Sequence, residues 1–123
     1  MSGNELRDAI RALLNSHPGI SPSPVGHAAH AERYLTRKGM PIGFEPDRIE
    51  HQNIWVRADA VRLHMISGID HVTYQHTDFA TSKPNHNLFG EPAFKDNDLI
   101  RFKIVDIWQA VRVILEVAGD SSK

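Results

Sequence analysis

The chain has 123 residues, of which 41% are hydrophobic and 24% charged, the composition of an ordinary globular domain. Its 14 basic and 15 acidic residues nearly cancel, so the overall charge does not indicate a nucleic-acid or polybasic membrane binder. Without cysteine, an apolar run of roughly 18–20 residues or a secretory signal, the sequence predicts one soluble, cytoplasmic domain over residues 1–123.

Residues 4–39 are predicted to be helical. Apolar residues recur at every third or fourth position of 4–15, which predicts a first helix capped by Asn4. A similar spacing after Ser23, with Pro24 at the first helical position, predicts a second helix that ends at Gly39. Residues 40–46 are too rich in Pro and Gly to supply the recognition helix of a helix-turn-helix motif.

Residues 53–119 are predicted to form a sheet and a last helix. The clearest strand covers 99–105, in which apolar and basic side chains alternate, and residues 53–57 and 71–76 are further candidates. Residues 59–66 fit either a short helix or a strand, and their alternation slightly favours the strand. Residues 77–98 are polar and rich in turn formers, so we expect a long loop with at most one helical turn.

The last helix has the most regular pattern of the chain. Asp106 is its predicted cap and Gly119 its predicted end, with an apolar stripe between them. Val113 and Val117 widen this stripe beyond what a small core requires, so an exposed part of them could support oligomerisation. Together the elements predict an α+β fold, a small and mostly antiparallel sheet with helices packed on one face.

A basic surface is the first candidate site. If the apolar strand residues face the helices, the other face of the sheet carries an aromatic residue among cations, which could bind phosphates and stack a base or ring. Its residues are Trp55, Arg57, Arg101 and Lys103. The alternative is that these charges are merely the water-facing side of the strands.

A histidine cluster is the second candidate. His71, His76, Asp78 and His86 could hold a divalent transition metal, although His71 and His76 should face opposite sides of a regular strand. A metal-independent ribonuclease would instead use His and Lys as acid, base and phosphate clamp. Its candidate residues are His64, His76, Lys83 and His86. A pair on the second predicted helix, His27 and His30, shares one helix face and could also contact a metal.

A family resemblance bears on these histidines. Residues 69–82, IDHVTYQHTDFATS, followed by LFG at 88–90, resemble the opening of a glyoxalase or vicinal-oxygen-chelate module, and residues 99–119 are similar to its strand-Asp-helix-Gly unit. The resemblance implies that His71 is a metal ligand and that Asp78 starts a helix. The chain departs from the pattern in having a proline inside that helix and no matching Glu ligand.

The sequence lacks the motifs of several enzyme classes, including the P-loop, the GxGxxG fingerprint, HExxH and the GxSxG elbow. The leading hypothesis is a small non-enzymatic binding module, without a cofactor, that engages an anionic protein or nucleic acid through the basic sheet face and the 77–98 loop. The alternative is a His-based enzyme, a metal-dependent hydrolase or lyase or a small nuclease, centred on the histidines of residues 71–86. A structural or oligomerisation role is the third hypothesis.

Overall fold

The computed structural model describes residues 3–46, 50–81 and 83–119. These residues form two helices and one six-stranded antiparallel sheet with the strand order β1-β2-β3-β4-β6-β5. The predicted α+β fold is confirmed. The helices are α1 (Gly3–Ser16) and α2 (Ile107–Ala118), and the strands are β1 (Ile20–Pro22), β2 (Glu32–Thr36), β3 (Pro41–Glu45), β4 (Gln52–Arg57), β5 (His71–Tyr74) and β6 (Leu99–Ile104).

The main core lies between the two helices and one face of the sheet. Alternate residues of β3, β4 and β6 point to this face, as the period of a strand requires. Helix α1 contributes Leu6, Ile10 and Leu14. Val113 and Val117 of α2 are also buried, so the prediction that part of them is exposed was wrong: both fill this core. No helix in the described ranges is long and apolar enough to span a bilayer.

The ends of α2 follow the prediction from sequence. The side chain of Asp106 accepts a hydrogen bond of 2.9 Å from the Gln109 N–H, and Gly119 ends the helix with a left-handed φ of 81°. A side-chain cap of this kind stabilises a helix by about 0.5–2 kcal/mol. The strand before it is also confirmed, since β6 covers Leu99–Ile104.

The predicted second helix over 24–39 was wrong. This region contains β2, which is paired on both sides, with β1 and with β3. Tyr34 is fully buried from β2, whereas Val25, assigned to the supposed helical stripe, is 50% exposed. Gly39 ends no helix but closes the turn to β3, where its φ is 82° and its N–H donates to the Thr36 carbonyl. Pairing along the sheet therefore outweighs the local helical spacing.

Residues 59–66 form neither the favoured strand nor a regular helix but contain 3₁₀ turns at Ala58–Ala60 and Leu63–Met65. A carboxylate from α2 explains this conformation. Glu116 accepts hydrogen bonds from the Arg62 backbone N–H at 3.0 Å and from its Nε at 2.8 Å. A backbone N–H that is bonded to a helix side chain is not available to a neighbouring strand.

The second face of the sheet is covered by residues 83–98, which belong to the stretch 77–98 that was predicted to be a loop with at most one helical turn. They form two 3₁₀ turns, His86–Gly90 and Pro92–Phe94. Leu88 and Phe94 of these turns are fully buried in a second cluster with Ala31, Trp55 and Leu99. The segment is thus a packed layer, and it makes the sheet apolar in part on both faces.

Gly43 at the centre of β3 gives this layer room to approach. A Cβ atom at Gly43 would lie 2.3 Å from Leu88 Cδ2 and 3.3 Å from Phe94 Cζ. The first distance is too short for any side chain. The missing Cβ is therefore what lets Leu88 pack directly on the backbone of the sheet.

We predict that Gly43→Ala lowers the free energy of unfolding by about 1–3 kcal/mol through overpacking. Leu88→Ala alone should cost about 2–5 kcal/mol. In the double variant the clash is absent, so the cost of Gly43→Ala should largely disappear in a double-mutant cycle measured by urea denaturation. Additive costs would contradict a direct contact between the two positions.

Candidate functional site

A pocket of about 490 Å³ opens on the second face of the sheet. Its base is formed by residues that are neighbours across three strands. Trp55 of β4 pairs in register with Arg101 of β6, and Tyr74 of β5 lies beside them. The Trp55 and Tyr74 rings are 5.1 Å apart, and Arg101 Cζ lies 6.0 Å and 5.8 Å from their centroids. The two rings therefore hold the guanidinium by cation–π attraction.

A buried carboxylate, Glu45, forms one wall of the pocket. One of its oxygens accepts hydrogen bonds from the Trp55 indole N–H and from Asn53 Nδ2, the latter at 3.1 Å. The other accepts from Asn85 Nδ2 at 3.2 Å. Glu45 is only 8% exposed. It thereby fixes the indole and ties the 83–98 segment to the end of β3.

The rim of the pocket belongs to loops. Asn85 also donates to the His30 carbonyl at 3.0 Å and accepts from the Asn87 N–H at 3.0 Å, so it joins two segments that are far apart in the chain. His30 and Lys83 are exposed at the rim, and Asn87 of the turn His86–Gly90 also lines the pocket. Two amides, a lysine and an imidazole therefore surround the entrance above the Arg101 guanidinium.

Arg33 anchors the loops behind the pocket. Arg33 is 8% exposed, and its guanidinium donates to the carbonyls of Gly26 at 2.8 Å and Asn87 at 2.9 Å. A Cβ at Gly90 would lie 1.9 Å from Arg33 Nη1, so this glycine leaves the space that the side chain occupies. The backbone N–H of Arg33 donates to His27 Nδ1. One buried cation thus holds residues 25–27 and 87–90 together.

The four residues predicted as a basic binding face are not equivalent in the structure. Trp55 is 2% exposed and Arg101 lies over its ring, so the indole does not project into solvent as expected. Arg57 is ion-paired with Asp59 at 2.6 Å and lies outside the pocket lining. Lys103 is exposed on the same face, next to Arg101 along β6. The structure brings together only Trp55 and Arg101.

The predicted metal ligands occupy separate surroundings. His71 packs against Phe102 and donates from Nδ1 to the Ile69 carbonyl, whereas His76 donates from Nδ1 to Asp98 at 2.7 Å. Asp78 ends one 3₁₀ turn and His86 begins another, and both are exposed. Across residues 3–46, 50–81 and 83–119, no three His, Asp or Glu side chains are placed to hold a metal ion.

Other sequence hypotheses also meet a different geometry. His27 and His30 lie in the connection before β2, not on one helix face. His64 is exposed in the turn Leu63–Met65. The glyoxalase resemblance implies a helix from Asp78, but Asp78 lies in a single 3₁₀ turn, His76–Asp78. Ser82, the last residue of the 69–82 segment of that resemblance, lies outside the described residues.

The residues missed from sequence include Tyr74, Glu45 and Asn85 of the pocket, and Asp98, which bonds to His76. Two of them left a local signal. Asn85 precedes Asn87 by two positions in the polar stretch after Pro84, a spacing typical of an Asx turn, and Asp98 directly precedes the clearest strand. Glu45 had no such signal, because its role depends on Trp55 and Asn53 across the sheet.

Comparisons with protein-family models, with curated proteins and with solved structures find no match for this chain. Its function is therefore inferred from the geometry of the pocket and of the surfaces around it.

The pKa of Asp98 provides a test of the contact between Asp98 and His76. It is lowered from the ordinary 3.8, first because the His76 backbone N–H donates to the carboxylate and then because the His76 imidazole does. A carboxyl whose pKa is lowered on folding stabilises the fold above its unfolded pKa. That contribution disappears as the pH falls from 3.8 through the lower folded value.

We predict that His76→Ala raises the pKa of Asp98 only part of the way back, because the backbone N–H remains. The pKa is measured from the carboxyl ¹³C shift of Asp98 against pH. His86→Ala, in the same long connection, is the control and should leave the Asp98 titration unchanged. An Asp98 that titrates at its ordinary value in the unaltered protein contradicts the bond geometry.

Proposed function

We propose that the chain is a non-enzymatic binding module that takes an acidic group of a partner protein into the Trp55–Arg101 pocket. The observation that supports this proposal is that the cations near the pocket have no acidic partner in the part of the chain that the structure describes. Among the described residues, no carboxylate lies within ion-pairing distance of Lys83, Arg101 or Lys103, whereas Arg11, Arg57 and Arg62 each have one. Lys83 and Arg101 both line the pocket, and unpaired cations gathered in one concave site attract an anion.

The arrangement of the pocket supports a carboxylate as the bound group. Glu45 is held at the buried end by three N–H donors, while Lys83 is exposed and Arg101 half-buried. An acidic side chain that enters would meet the two cations before it reaches Glu45. The guanidinium fork of Arg101, fixed over two rings, suits the two oxygens of a carboxylate.

An acidic protein segment fits this surface better than a nucleic acid does. Proteins that bind single strands stack bases on exposed aromatic rings. Here Trp55 is 2% exposed, and its N–H is already donated to Glu45. The surface thus offers charge without an open stacking platform.

We predict that fluorescein-labelled hexaglutamate binds to the protein and that its affinity falls steeply with salt. Arg101→Glu should lower this affinity at least about tenfold, which corresponds to the loss of roughly 1.4 kcal/mol from a partly desolvated ion pair. Lys103→Glu should weaken it less, because Lys103 is exposed and lies outside the pocket lining. Lys38→Glu has the same change in net charge in the β2–β3 turn and is the matched control. Fluorescence anisotropy gives the affinities, and circular dichroism confirms that each variant folds.

Two outcomes would count against this proposal. If Arg101→Glu and Lys38→Glu lower hexaglutamate affinity equally, the binding is a property of net charge and not of the pocket. If a 12-residue oligothymidylate binds more tightly than hexaglutamate and depends on Arg101, the partner is a nucleic acid.

A His-based enzyme is a second candidate, and the His76–Asp98 pair favours it. A carboxylate that accepts from Nδ1 leaves Nε2 of the imidazole as a base, the arrangement that orients histidine in acid–base catalysis. The pair lies at a smaller cavity of about 260 Å³ that also contains Asp59, Asp96 and Asn97.

If this candidate is correct, the purified protein should hydrolyse p-nitrophenyl acetate or cleave the dinucleotide uridylyl-adenosine. His76→Ala and Asp98→Asn should then reduce the rate by about 10²-fold, the usual contribution of a positioned acid or base. His64→Ala, in a different turn, is the control. A rate that all three variants share with the unaltered protein excludes the pair as catalytic.

A further inference from the structure

Strand β5 is an open edge of the sheet beside the pocket. It is the last strand in the order, and three of its four residues are exposed. The opposite edge strand, β1, contains Pro22 and has only three residues. Edge strands are usually protected by proline, lysine or a covering loop. The β5 sequence, HVTY, contains none of the protecting residues.

The hydrogen-bond pattern shows which backbone groups face outward. Lys103 N–H donates to the Asp70 carbonyl at 2.8 Å, so residues 70 and 103 form a hydrogen-bonded pair. In an antiparallel ladder such pairs alternate, and the register pairs Val72 with Arg101. Asp70, Val72 and Tyr74 therefore bond to β6. The N–H and C=O groups of His71 and Thr73 point away from the sheet, and within the described ranges no partner accepts or donates to them.

The side chains along this edge are asymmetric. Val72 and Tyr74 share the pocket face with Arg101, and Val72 is 45% exposed. Lys103 lies on the same face, opposite Asp70. A strand added to β5 would lie roughly 10 Å from β6, two strand spacings, so long acidic side chains on its pocket face could meet the Arg101 and Lys103 side chains.

We propose that β5 receives an extended acidic segment of a partner protein as a seventh strand, which delivers alternate carboxylates to the Arg101 pocket. The inference rests on the proposed function, since it names how the acidic group arrives. Outward backbone groups of His71 and Thr73 supply hydrogen bonds, and the unpaired cations select acidic side chains on one face. This is recognition by β-strand addition, in which the main chain gives affinity and alternate side chains give specificity.

The test uses an eight-residue peptide of alternating Glu and Val, labelled with fluorescein, and two N-methylated forms. One form is methylated at the Val nitrogens and the other at the Glu nitrogens, so charge and composition match. In antiparallel addition the residues that bond to His71 and Thr73 have their side chains on the helix face, so these are the Val residues. The Val-methylated peptide should then bind at least about tenfold more weakly, and the Glu-methylated one nearly as well as the parent.

In parallel addition the two methylated peptides exchange roles, so loss of affinity in one form alone supports strand addition in either orientation. Equal affinity of both forms with the parent overturns the inference. If the parent peptide and hexaglutamate both remain sensitive to Arg101→Glu in that case, the proposed function stands without it. If neither depends on Arg101, the proposed function fails as well.

A change in the protein gives an independent check. Thr73→Pro removes an N–H that points outward, which an edge strand tolerates, whereas Thr73→Ala keeps it. The proline variant should weaken the parent peptide about tenfold and the alanine variant should not. Sedimentation at several concentrations completes the test. A dimer that Thr73→Pro dissociates, in a protein that does not bind the peptide, would assign the edge to a second copy of the chain and overturn the inference.

Discussion

The contact between Leu88 and the bare backbone of Gly43 is the constraint on which the second half of the molecule depends. One face of the sheet is covered by helices, as in any small α+β domain, but the other needs a layer made from a segment without regular structure. Leu88 and Phe94 can close on the strands only because β3 has no side chain at that point. Where this layer leaves Tyr74 and Arg101 partly exposed, the uncovered part of the face becomes the pocket.

Buried polar groups then determine how the layer is oriented. Arg33 is bonded to carbonyls of two loops, and Glu45 to amides from β4 and from the covering segment. Each links residues that are more than 35 positions apart in the chain. A half-satisfied polar network costs more than an apolar one, so these bonds select a single arrangement of the loops. The charge of the pocket follows from the same bonds, because the Glu45 carboxylate is occupied by N–H donors, whereas no carboxylate of the described residues pairs with Lys83 or Arg101.

The elements predictable from sequence are those whose signals are local. Helix α2, with its Asp106 cap and Gly119 end, and β6, with its strict alternation, could be recognised from a few neighbouring residues. The supposed helix over 24–39 failed because its apolar spacing was accidental and pairing with β3 decided the conformation. Trp55 was correctly placed on the face opposite the helices, but its burial depends on Tyr74 and on the covering layer. The pocket itself could not be foreseen, because its defining wall, Glu45, acts only through residues on other strands.

The His76–Asp98 bond has a topological consequence. It joins His76, two residues after β5, to Asp98, the residue just before β6. Because β5 and β6 are paired with each other, the chain between them leaves and re-enters the sheet at one place. Both ends of this segment are therefore held at one place on the sheet by the His76–Asp98 bond, and Leu88 and Phe94 hold its middle against the strands. A change of sequence in this segment therefore alters the rim of the pocket, at Lys83 and Asn85, while the base of Trp55, Tyr74 and Arg101 stays on the strands.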